Sequence, residues 1–214
     1  MFHGIGTPSV AIPDDEQAYW VDWNLFDEVI DYCGTLPLQA DRLTFDDGNI
    51  SDLEAARRMR RAGLSGSFFV LVGRIGAPGY LGEEDLRELI DLGMEIGLHG
   101  RDHRDWRRVD DATLVSEIDR AREELAAICA RPIEDLAIPY GAYDRRVWTY
   151  LQNSAFRRIY TSDRGVSAEE SRFIRRNTVT RHSSFAQIVS MLHDDVPPQT
   201  RLRRAVMPVL KRRI

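Results

Sequence analysis

Short apolar runs alternate with amphipathic stretches along most of this chain, and that alternation restricts its fold more than any other feature. Arg42 to Phe45, Ser67 to Val72, Met94 to Leu98, Leu136 to Ile138, Arg158 to Thr161 and Phe173 to Val179 read as strands. The second of these, Ser67-Phe68-Phe69-Val70-Leu71-Val72, is apolar throughout, as strands buried on both faces of a parallel sheet are. Between the strands, Asp52 to Ala62 (stopped by Gly63), Glu83 to Gly93, Asp111 to Cys129, Asp144 to Asn153 and Phe185 to Leu192 read as helices. Leu114, Ile118, Ala121, Leu125 and Ile128 form one apolar stripe in the longest of them. Upstream, Trp20, Trp23, Phe26 and Ile30 have helical spacing, predicting a further helix over Gln17 to Cys33.

Strand followed by helix, repeated, predicts an α/β fold with a parallel sheet and helices outside. No composition shift or repeat divides the chain, so one domain is expected. Periodicity alone does not decide whether the sheet closes into a barrel. In such folds the chemistry gathers at the C-terminal ends of the strands. The chemically capable residues sit there. Asp46 and Asp47 end one strand, His99 ends another, Tyr140 follows a third and Asp163 a fourth.

The formal net charge of -5 argues against a nucleic-acid partner, because tracking phosphates needs a basic excess. Cys33 and Cys129 form no CxxC and read as buried thiols. Met1 to Glu16 shows no basic segment followed by an apolar run, and no stretch is long and apolar enough to span a bilayer. The expected compartment is the cytoplasm. The C-terminal stretch carries Arg201, Arg203, Arg204, Lys211, Arg212 and Arg213 among Leu202, Val206, Val209 and Leu210, a candidate for contact with an anionic membrane surface, although Pro208 interrupts any helix.

Two histidines four apart, His99 and His103, with a carboxylate from elsewhere, make a three-ligand metal set with positions open for water. A metal lowers the pKa of such a water and polarises a carbonyl under attack. Asp46 and Asp47 would point to opposite faces of a straight strand, but a turn at Gly48 brings both into one site. One acid then binds metal while the other serves as general base.

Thr44-Phe45-Asp46-Asp47-Gly48, His99-Gly100-Arg101-Asp102-His103, Ile138-Pro139-Tyr140-Gly141 and Gly66-Ser67-Phe68-Phe69-Val70 together resemble the polysaccharide deacetylases of the NodB-homology type, carbohydrate esterase family 4. The resemblance runs from about Leu36 to the Phe185 region. It implies a distorted, incomplete (β/α) barrel over residues 36–195, with residues 1–35 a helical extension packed on it and 196–214 a basic tail. It implies hydrolysis of an acetyl group, usually an N-acetyl amide, from a glycan, with water on the metal as nucleophile. Asp46 would be the general base, and Asp47, His99 and His103 the ligands of a divalent metal. Zn2+ is the expected ion, with Co2+, Mn2+ and Ni2+ also compatible. The backbone N–H of Tyr140, flanked by Pro139 and Gly141, would help hold the oxyanion.

The chain departs from that pattern in three places. Gly100 stands where the family carries Ser or Thr. Ala137 stands where many members have an arginine orienting the catalytic Asp, which leaves Arg176, Arg181 and, less directly, Arg164 beside Asp163 as replacements. The family's late Leu-x-His acid has two candidates here. His193 matches in letters, whereas His182 follows the last strand and is better placed by topology, so it is the expected catalytic acid. Trp106 is a candidate platform for a sugar ring, with packing into the barrel rim as the competing reading. Two rival functions stay open: an esterase removing O-acetyl groups, and an impaired member that binds acetylated glycans without turnover.

Overall fold

A computed structural model describes residues 1–14, 16–36, 43–168, 170–195 and 208–212. Two short parallel strands, β1 (Gly4–Ile5) and β2 (Trp20–Val21), lead into helix α1 (Trp23–Gly34). There follow β3 (Thr44–Asp47), α2 (Ser51–Arg61), β4 (Ser67–Val70), α3 (Glu83–Asp91) and β5 (Glu95–Leu98). The long predicted helix is present as α4 (Asp111–Val115), a π turn (Ser116–Arg120) and α5 (Ala121–Cys129). β6 (Asp135–Ala137), α6 (Arg145–Gln152), β7 (Arg158–Thr161), β8 (Phe173–Arg175) and α7 (Phe185–Leu192) complete the alternation.

The six strands β3 to β8 pair in sequence order, every pair parallel. Strand alternation splits their side chains into two layers. The outer layer meets the helices. Phe45 pairs in register with Phe68, and their rings stack at 4.4 Å. The inner layer holds Asp46 opposite Phe69 and Phe69 opposite Gly97. Phe69, Ala137 and Tyr160 form a small buried cluster there, with Ile174 packed against it. Gly97 is required in this layer, because a Cβ on it would lie 2.5 Å from the Phe69 ring. The sheet curls into a half-barrel, far enough that Arg176, just past β8, reaches Thr44 on β3 at 3.3 Å.

The N-terminal segment lies in the seam between the first and last strands. Phe2 N–H donates to Thr44 O at 2.8 Å, Asp46 N–H donates to Phe2 O at 3.0 Å, and Val179 N–H donates to Met1 O at 3.0 Å. The Phe2 ring enters the outer layer, 5.5 Å from Phe45 and 5.4 Å from Phe26 of α1. Burying a side chain of this size contributes about 2–3 kcal/mol.

The helix expected from Gln17 begins instead at Trp23. Gln17–Tyr19 make one 3-10 turn and Trp20–Val21 pair with β1. The Asp22 carboxylate accepts from Leu25 N–H and sets the helix start. Trp20 has helical spacing for a different reason: its ring packs on Gly4, where a Cβ would lie 2.1 Å from it. The strand expected over Phe173 to Val179 stops at Arg175. Cys33 and Cys129 are buried free thiols. Among the described residues no helix is long and apolar enough to cross a membrane.

Candidate active site

Asp46 and Asp47 close β3, and the backbone bends immediately. Asp47 has φ 79° and Gly48 φ 70°. This left-handed pair breaks the strand alternation and lets both carboxylates face one site. Asp47 Oδ1 lies 3.5 Å from Nε2 of His99 and 3.5 Å from Nε2 of His103. Asp47, His99 and His103 each offer a ligand atom, all within 4.8 Å of one another. His99 is buried at the end of β5, and its Nδ1 lies 2.9 Å from Ala137 O. That contact assigns the proton to Nδ1 and turns the Nε2 lone pair toward Asp47, the orientation a metal-binding imidazole needs. Burial, followed by the neighbouring His99, pushes His103 down to about 4, so its ring is neutral and able to ligate at ordinary pH.

Asp47 Oδ1 is buried and has no hydrogen-bond partner. A buried carboxylate oxygen left in that state costs more than a neutral polar atom would. Facing two imidazole nitrogens, it fits a divalent cation held by two nitrogens and a carboxylate.

Asp46 has a different partner. Arg176 donates to it through both terminal nitrogens, at 2.6 and 2.8 Å, a buried bidentate pair. Arg176 also lies over the Phe69 and Tyr160 rings, 5.2 and 5.6 Å away, which fixes the guanidinium in the inner layer. Burial would raise the Asp46 pKa, but the charge and hydrogen bonds of Arg176, helped by His99 and His3, outweigh it. The carboxyl is held well below the usual range. Of the residues weighed to replace the arginine missing at Ala137, Arg176 is the one the fold brings to Asp46. Arg181 is exposed; its backbone N–H donates to Ala18 O and its guanidinium to His182. Asp163 accepts from Tyr143 OH at 2.5 Å and from Lys211 at 2.7 Å.

His3 was not singled out by sequence reasoning. Phe2 is bridged to Phe45, so the next residue, His3, falls beside Asp46 on the same face. Its Nδ1 is buried without a hydrogen-bond partner, and its ring lies 4.9 Å from that of Tyr19. Burial lowers its pKa, while the charges of Asp47 and then Asp46 raise it, which places His3 in the field of the site. Two or three residues are too few to show periodicity, so the sequence carried no sign of this pairing. The only available hint was that His3 is one of five histidines.

The other expected residues divide clearly. Pro139–Gly141 form a 3-10 turn after β6, with Tyr140 at φ 58° and its ring 4.2 Å from that of His103. Tyr140 is 63% exposed, at the mouth of the site. Trp106 is corrected: it is fully buried and its Nε1 donates to Glu117, so it offers no face to a sugar. His182 is exposed and lines a groove of about 580 Å³ with Arg164, Asn177, Thr178 and Gln187. His193 caps the end of α7 and is held by Tyr32 OH at 2.9 Å. In the basic tail, Lys211 pairs with Asp163 and Arg212 lies 3.7 Å over the Trp148 ring. Arg201, Arg203, Arg204 and Arg213 lie outside the described residues.

The family model for polysaccharide deacetylases matches residues 39–159, over half of the chain. The chain belongs to the polysaccharide deacetylase family. Solved structures of that kind share its fold. BC0361, a polysaccharide deacetylase from Bacillus cereus, superposes with a TM-score of 0.73 at 17% identity, covering 89% of this chain and 67% of that one. The deacetylase PplD of Streptococcus pyogenes, solved in complex with acetate, gives 0.71 at 19% identity, covering 89% and 95%. IcaB from Ammonifex degensii gives 0.69 at 17% identity, covering 89% and 96%. At these identities the likeness is one of fold, and it agrees with the expected distorted (β/α) barrel. No curated protein matches the sequence significantly.

Proposed function

We propose that this polysaccharide deacetylase is a metal-dependent hydrolase that removes acetyl groups, N-acetyl amides foremost, from a polysaccharide or oligosaccharide. One observation carries the reading: a buried, unpartnered Asp47 oxygen faces two imidazole nitrogens, beside a second carboxylate held by Arg176. Asp47, His99 and His103 hold the ion, Zn2+ being the best match to that donor set. When bound, it polarises the acetyl carbonyl and acidifies the adjacent water.

The remaining work falls to the chain's own residues. Asp46 takes the proton of the attacking water, and Arg176 fixes which way its oxygens point. The Tyr140 N–H faces the developing oxyanion. As the C–N bond breaks, its electron pair goes to the nitrogen, which needs a proton. His3 donates it from its protonated form, being the histidine whose register puts it on the face of Asp46, and the proton that Asp46 took from the water restores that form for the next turnover. The presence of Arg176 also favours turnover over a glycan-binding role, since the charge missing at Ala137 is replaced.

The test is acetate release from N-acetylated oligosaccharides by metal-loaded protein. Asp46→Asn is expected to bind metal like the wild type and to lose at least about 100-fold in kcat. His103→Ala is expected to lose the metal. Wild-type turnover by the Asp46 variant would remove the proposed base. His3→Gln is expected to depress hydrolysis of amides far more than that of aryl acetates, whose phenolate leaves without an acid. Equal losses on both substrates would refute the proton-donor role. If the wild type cleaves O-acetyl esters and leaves amides intact, the esterase reading replaces this one.

A further inference from the structure

The chain between the two histidines is held from both sides. On one side its carbonyls are used: Val72 N–H donates to Gly100 O at 3.1 Å and Gly73 N–H to Arg101 O at 2.9 Å. On the other side its N–H groups converge on one carboxylate. Arg101 N–H donates to Glu117 Oε2 at 3.2 Å, and Asp102 N–H donates to Oε1 at 3.2 Å. Trp106 Nε1 donates to the same group at 3.3 Å. Glu117 is 1% exposed, with Arg104 Nε 3.8 Å from its Oε1. It projects from the π turn over Ser116–Arg120, where an α-helix would have carried it round a different angle.

A Cβ on Gly100 would lie 2.9 Å from Glu117 Oε2 and 3.2 Å from the Trp106 ring, at a φ of +90°. Any side chain at Gly100 would strain the backbone and press on the Glu117 carboxylate and the Trp106 ring.

We infer that Glu117 is the positioning residue of the metal centre, its carboxylate holding the backbone between His99 and His103 and so fixing the span between the two rings. The inference rests on the metal reading above. Glu117 touches no reacting atom. It sets the geometry in which two nitrogens meet Asp47, so its effect is on how tightly the ion is held.

The test measures Zn2+ and Co2+ affinity by calorimetry and the visible spectrum of the Co2+ form. Residues that orient ligands from behind typically change metal affinity about 10- to 100-fold. Glu117→Ala is expected to weaken both ions by that factor and to alter the Co2+ bands, with near-UV circular dichroism preserved. Glu117→Gln keeps one acceptor oxygen for the loop and is expected to recover part of the affinity. Saturating metal is expected to restore most of the turnover of either variant. Wild-type affinity in a folded Glu117→Ala or Glu117→Gln protein would overturn the inference and leave the metal reading standing. A wild-type protein that binds neither ion would overturn both. Should Glu117→Ala fail to fold, the Gln variant carries the test alone.

Discussion

Asp46 and Asp47 are adjacent and chemically identical, and the fold gives them opposite surroundings. Asp46 is satisfied twice by Arg176, while Asp47 keeps a buried oxygen turned toward two histidines. The folded pKa of Asp46 lies below its unfolded value of about 3.9. Its contribution to stability is therefore complete above that value and is lost only as the pH falls through the depressed one. Arg176→Met removes the partner and leaves the carboxyl buried. The expected cost is about 3–5 kcal/mol. The sign also reverses: burial then raises the Asp46 pKa, so stability declines as the pH rises above about 4. Chemical denaturation of both proteins across that range checks both statements; parallel pH profiles would contradict them. At this scale the site was only half legible. Asp46, Asp47, His99 and His103 announce themselves because polar groups at strand ends break an apolar pattern. Arg176 was one cation among several, and His3 owes its place to a bridge between Phe2 and Phe45 that no local pattern encodes.

Among the elements, helices were the most readable and their ends the least. The stripe from Leu114 to Ile128 predicts one long helix, but the π turn inside it, which aims Glu117, leaves no mark in an apolar repeat. The helix expected from Gln17 was a miss of another kind: tertiary pairing of Trp20–Val21 with Gly4–Ile5 overrode helical spacing. α5 ends at Ala130, which adopts φ 50° and ψ 32° with no glycine to ease it. A left-handed L-residue costs about 1–2 kcal/mol relative to glycine, partly offset by glycine's greater freedom when unfolded. Ala130→Gly is therefore expected to stabilise the protein by about 0.5–1 kcal/mol, read as a rise in the denaturation midpoint with an unchanged slope. A lower midpoint would show that some contact of the Ala130 methyl group outweighs the strain.

For the whole molecule, the half-barrel brings together residues that are far apart in sequence. β3 supplies two acids, β5 and its loop two imidazoles, the turn after β6 Tyr140, and the segment after β8 the arginine. Met1 to His3 lie across the seam between the first and last strands, so the stretch read as a helical extension packed on the barrel begins by pairing with β3 itself. The α/β class and parallel order followed from the alternation alone. Curling of the sheet did not, because it depends on long-range pairings such as Arg176 with Thr44 and Asp46. One metal ion is proposed to sit where Asp47, His99 and His103 converge. Anomalous diffraction at the zinc edge from Zn2+-loaded crystals tests it most directly. The expected result is a single peak about 2.0–2.2 Å from Asp47 Oδ1 and from both Nε2 atoms, with Asp46 still paired to Arg176 and outside the coordination sphere. A map with no peak there, or with the ion bound at another cluster, would contradict the account.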